Sequence, residues 1–177
     1  KPNLLNYASS GNGTSPHLSG ELFNLMANVK MTHVPYKGSS QAISDVLSGL
    51  VPVMFSPSST AIAHVNSGSL KALAVTSAQR VQALPDVPTM AELGYPELIT
   101  GSWQGMLVPA KTPKPVVERL LADTRAALKT REVGQAFISQ GGEPGGQSSA
   151  EFGAYFQSEI KKWAGVIKSA GIKAEPL

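Results

Sequence analysis

The chain has 177 residues and a formal net charge of +3, and it holds no run of basic side chains. A nucleic-acid or membrane-surface patch is therefore excluded as its main working surface. Hydrophobic residues make up 42% and charged residues only 15%, a balance that builds a core and excludes a disordered chain.

Charge is unevenly placed. Residues 1–75 carry only Lys1, Glu21, Lys30, Lys37, Asp45 and Lys71, and the remaining twenty-one charged residues follow them. Leu4 to Ala8 reads as a strand, and Ser9-Ser10-Gly11-Asn12-Gly13-Thr14 as the polar loop after it. A helix then starts with Ser15 as N-cap and Pro16 at the first helical position, its apolar face Leu18, Leu22, Leu25, Met26 and Val29. Met31 to Tyr36 is the next strand, ending in Lys37-Gly38-Ser39-Ser40, and Ile43, Val46, Leu47 and Leu50 mark the helix that follows. Val51 to Phe55 is a third strand, closed by Ser56 to Thr60, with a short helix through Ile62 and Val65 that stops at Gly68. Leu70 to Thr76 completes the series as a fourth strand. Strand, polar loop and helix in succession predict an α/β fold with a doubly wound, mostly parallel sheet.

The second part differs. Ala78 to Pro113 is rich in proline and glycine, with one helical turn expected over Thr89 to Leu93 and an extended strand over Gly101 to Val108. Thr112-Pro113 opens a helix bearing Val117, Leu120, Leu121, Thr124 and Leu128, and a shorter helix through Val133 and Phe137 ends at Gly141-Gly142. Ser148 and Glu151 form a capping box for a last helix with Phe152, Phe156, Ile160, Trp163 and Ile167 on one face. Gly171 ends it.

Catalytic patterns are missing. The chain has no cysteine, which excludes disulfides, thiol nucleophiles and Cys-ligated zinc. Gly11 and Gly13 lack the third glycine of a dinucleotide fingerprint, since position 16 is proline, and there is neither a phosphate loop nor a nucleophile elbow. His17, His33 and His64 lie in separate segments without metal-site spacing, and a bond within its own helical turn is the expected role of His17. No apolar run reaches the ~18 residues of a membrane-spanning helix. No catalytic residue, metal or cofactor is expected.

What remains is the set of polar loops. In an open parallel sheet, ligands bind beyond the carboxyl ends of the strands, and each loop there precedes a helix N-terminus, which favours an anion. Ser9, Ser10, Thr14, Ser39, Ser40, Ser56, Ser58 and Ser59 would add donors, and Lys37 a fixed positive charge. The same residue types also make ordinary turns and caps. An α/β enzyme for a phosphate or acyl substrate, or a pure interaction module, stays open on this evidence.

Several longer segments carry a resemblance. Tyr7 to Leu18 with Glu21-Leu22-Phe23, His33 to Ser39, Val53-Met54-Phe55, Leu70 to Ser77, Leu84 to Thr89, Ser102-Trp103 with Gly105, and Glu159-Ile160 with Lys162-Trp163 follow one another in order. Together they resemble the Bug-type solute receptors of tripartite tricarboxylate transporters. The resemblance implies a periplasmic, two-lobed receptor of the Venus-flytrap type that closes on a small carboxylate ligand and delivers it to membrane transporter subunits, without catalysis. It implies a ligand site at Ser9, Ser10, Gly11, Gly13, Thr14, Tyr36, Lys37, Gly38, Phe55 and Ser56. Family chains often carry an acidic residue where Ser56 stands, so ligands with a free ammonium group are disfavoured here. Residues 1–103 are expected to form the second, ligand-gripping lobe, and 104–177 the returning C-terminal part of the first. The opening Lys1-Pro2-Asn3 falls where that second lobe begins, so the N-terminal part of the first lobe is expected to be absent. Val117, Leu120, Leu121, Phe156 and Trp163 would then lack part of their core, leading to rearranged packing or a homodimer.

Overall fold

The computed structural model describes residues 4–173; the opening Lys1-Pro2-Asn3 lies outside them. The chain runs β1 (Asn6–Ser9), α1 (Ser15–Met26), β2 (Thr32–Pro35), α2 (Ser39–Leu47), β3 (Val53–Met54) and α3 (Ser58–Asn66). It continues with α4 (Lys114–Leu128), α5 (Arg131–Ser139) and α6 (Ser149–Ala170). The three strands form one parallel sheet in the order β2-β1-β3, with Tyr7 opposite both His33 and Val53.

The alternation of β1 decides which helix covers which face. Tyr7 and Ala8 are both fully buried, and neighbouring side chains on a strand point to opposite faces. Ala8 packs with Ala42 of α2 and with Val51, bordered by Tyr36, Val46 and Met54. The Tyr7 ring meets α1 instead, at Gly20, where any Cβ would run into it. Its hydroxyl donates to Glu21 Oε1 at 2.6 Å. Helices α1 and α2 therefore lie on opposite faces of the sheet. A short crossover layout of this kind is what the strand–helix alternation predicts.

Two expected strands do not form ladders. Leu70 to Thr76 contributes only an isolated parallel bridge between Val75 and Thr89, while Thr76 and Thr100 bond each other, N–H of Thr100 to O of Thr76 at 2.9 Å and the Thr76 hydroxyl back to O of Thr100 at 2.9 Å. Gly101 to Val108 is extended without strand pairing, and Met106 and Leu107 are 66% and 74% exposed. The local pattern is strand-like in both, but a ladder needs a neighbouring edge in register. The expected helical turn is present: N–H of Leu93 donates to O of Thr89 at 3.3 Å, and Glu92 and Thr89 cap each other reciprocally. The Arg80 guanidinium on Glu92 holds that carboxyl down to about 2.

The last helix docks back on the first. Helix α6 lies against α1, buries Glu159 and Val166, and sends Lys162 Nζ to O of Ile99 at 2.6 Å. Trp103 sits edge-on to Phe152, Tyr155 and Phe156 along the same helix. Helices α4 and α5 bury no residue; Val117 and Leu121 are half-buried and Leu120 is exposed.

Candidate functional site

All three strands end at one edge of the sheet, and α1, α2 and α3 all begin there. The strand order puts the β1–α1 loop in the middle. N–H of Tyr36 donates to O of Ser9 and N–H of Phe55 to O of Ala8, both at 3.2 Å, tying the flanking loops to the central one. No side chain caps α1, α2 or α3 at the rim, nor α4 away from it, whereas Thr130 caps α5 and Ser148 caps α6. Three helix N-termini thus meet one rim without a side-chain cap bond, and their dipoles favour an anion. Thr14, and not Ser15, holds the N-cap position of α1. Its hydroxyl turns back to O of Gly11 at 2.7 Å, so it shapes the loop instead of capping the helix.

The rim residues expected from sequence divide into two groups. Ser10, Gly11, Gly13, Thr14, Lys37, Gly38 and Ser56 lie in the loops, with Lys37 and Gly13 exposed. Gly11 at φ 132° and Gly38 at φ 133° take backbone shapes that side chains disfavour. Gly11 also passes so close to O of Tyr36 that a Cβ would sit 3.0 Å from it. The second group turns inward. Ser9 is fully buried; its Oγ lies 2.6 Å from His33 Nε2 and accepts N–H of Gly11 at 3.1 Å. The Tyr36 hydroxyl donates to Asp45 Oδ2 at 2.7 Å, and the Phe55 ring packs against Tyr7 and Phe23. At Tyr36 the backbone, and not the side chain, borders the central loop.

Beneath the central loop lies a pair that sequence reading treated only as separate structural residues. The rings of His17 and His33 stack 3.9 Å apart, and Tyr7 stacks on His33 in turn. His17 Nδ1 accepts N–H of Gly13 at 3.0 Å, so its bond reaches out of α1 to the preceding loop and not, as expected, within its own helical turn. Burial pushes His33 down to about 4, with His17 beside it adding to the effect. Burial lowers His17 as well, partly opposed by Glu21. Both imidazoles are neutral at neutral pH.

Two open concavities lie away from this rim. One, of about 440 Å³, is lined by Arg125, Leu128, Lys129 and the Pro144–Gly146 turn, and the other, of about 260 Å³, by Met106–Val108 and the start of α6. Among the described residues no group of histidines and carboxylates is arranged to hold a metal ion, and no helix is long and apolar enough to cross a membrane.

The model of the tripartite tricarboxylate transporter family receptor, TctC, matches residues 1–172. The chain belongs to this family. TctC proteins are binding receptors and not enzymes. BugT of Bordetella pertussis is 35% identical over 173 residues, which is 98% of this chain but 53% of BugT; the chain spans about half the length of that relative. Among solved structures, a periplasmic transporter superposes with a TM-score of 0.85 at 33% identity, over 98% of this TctC chain and 58% of its own. R. palustris Rpa4515 with adipate gives a TM-score of 0.85 at 35% identity, over 97% and 57%. The small parallel sheet of this TctC chain thus matches periplasmic transport proteins over part of their length.

Proposed function

We propose that this chain is the ligand-gripping part of a periplasmic receptor that captures a small carboxylate between two lobes and delivers it to a tripartite membrane transporter. The observation that carries the reading is the meeting of three helix N-termini, none capped by a side chain, at one sheet edge. A relative of the same fold that carries adipate supports it. Residues 1–103 form the gripping lobe and 104–177 the returning part of the other. Ser10, Gly11, Gly13, Thr14 and Gly38 shape or line the rim, Lys37 supplies positive charge, and Ser56 offers a neutral hydroxyl. Ser9, Tyr36 and Phe55 act from beneath by fixing the backbone. With Ser56 in place of a carboxylate, the site favours acids without an ammonium group.

The test is calorimetric titration of dicarboxylates, adipate among them, and acidic amino acids into a receptor of its relatives' full length that contains this chain. Dicarboxylates are expected to bind, and acidic amino acids to bind more weakly. Lys37→Ala should weaken the dicarboxylate about tenfold, the ~1.4 kcal/mol of one charge-assisted contact. No heat with any acid would reject the reading.

A further inference from the structure

We propose that His17 is a positioning residue for the β1–α1 loop, clasping it in its ligand-gripping shape only while the imidazole is neutral. The inference rests on the carboxylate-site reading for its consequence, but its geometry stands without it. Gly13, exposed and at φ 71°, is held to the body of the protein by the bond from its N–H to His17 Nδ1. An N–H pointed at Nδ1 requires a bare lone pair there, so the ring proton sits on Nε2. Protonation puts a second donor on Nδ1, directly facing the Gly13 donor. Both cannot stay, and the loop must turn out.

His33, stacked on His17, bears on this response. It answers a proton differently, because the Ser9 hydroxyl can rotate to accept from Nε2 and donate to O of Gly11, 3.2 Å away. A charge on His33 would nevertheless stack face to face on His17 at 3.9 Å and oppose a second charge there. The groups facing the pair are Glu21 on α1 and Tyr7 on β1, and Glu21 already accepts the Tyr7 hydroxyl. On α6, packed against α1, Glu159 is engaged by Trp163 Nε1 and Lys162. Because both histidines lie below their ordinary 6.5, the clasp is complete above that pH and opens as pH falls below it. The unfolded chain binds these protons more readily, so stability falls in the same direction.

The experiment follows the Gly13 amide and the imidazole resonances of the chain by NMR from about pH 8 to about pH 5, where histidine titrates. His17→Asn serves as the non-titrating variant, its amide oxygen standing near the place of Nδ1. In the wild type the Gly13 amide should lose its hydrogen-bonded shift in step with His17 protonation, and in His17→Asn it should not. His17→Phe, which keeps a ring to stack but has no acceptor, should leave the Gly13 amide without its hydrogen-bonded shift at every pH. Adipate affinity, measured on the same full-length receptor, should fall at least about tenfold more for wild type than for His17→Asn over that range. Adipate's own titration is common to both proteins and cancels in the ratio. A Gly13 amide indifferent to His17 protonation, or equal pH profiles for wild type and His17→Asn, would overturn the proposal. Absence of adipate binding at every pH would instead reject the receptor reading, and the Gly13 resonance would still decide the clasp.

Discussion

Tyr7 is the residue on which the sheet turns. It is the largest of the fully buried side chains, it stacks on His33, and its hydroxyl reaches Glu21. Burial and that carboxylate push its phenol well above the ordinary range, so it stays a donor. The seat for its ring is Gly20, a helix-interior glycine whose lower helix propensity is offset by close approach. Gly20→Ala is expected to destabilise the chain by about 1–3 kcal/mol, because the added methyl forces ring or helix to move in a packed core. Urea unfolding checks it; a midpoint unchanged from wild type would show that the helix can withdraw at no cost. Gly20 carries no signal in sequence beyond its presence in a helix. Ser9 is similar: its composition marks a polar loop, and only the fold shows that its hydroxyl faces inward to His33.

At the scale of elements, local signals performed best where the stabilising partner is local. The capping box of α6 is formed as expected, with N–H of Ser148 on Glu151 Oε2 at 2.7 Å and N–H of Glu151 on Ser148 Oγ at 3.2 Å. Bonds from Ser148 hold the Glu151 carboxyl below its ordinary range. Ser148→Ala should cost about 1 kcal/mol, the usual loss at such a cap, and should be seen as a lowered thermal midpoint with the fold intact. Gly68 and Gly171 likewise stand just beyond helix ends where sequence put them, while Pro16 stands one position further into α1 than expected. The strands fared differently. Val53 and Met54 pair and Leu70 to Ala74 do not, although both runs are strand-like in sequence. Pairing depends on a distant edge, and no periodicity within seven residues contains that information. The rim has the same split: three serine- and glycine-rich loops were legible as helix starts, but their common edge follows from parallel strand order.

For the whole molecule, the decisive fact is its share of its relatives' length. It covers about half of BugT, and its later helices expose Val116, Leu120, Phe137, Ile160 and Ile167 together with Met106 and Leu107. Apolar surface on this scale promotes association. Sedimentation velocity over a concentration series should show reversible self-association, weakened by Leu107→Lys. A single monomeric species throughout would show that the exposed residues are too dispersed to act as a patch.

Sequence by itself was enough for the α/β class, the order of the helices and the family, because each rests on neighbours within a few residues or on ordered motifs. Tertiary structure alone decided which loop serine faces inward, which apolar runs become strands, and that His17 and His33 stack beneath Gly13. Those outcomes depend on contacts between residues far apart in the chain, which become neighbours only when α1 and β2 close on β1.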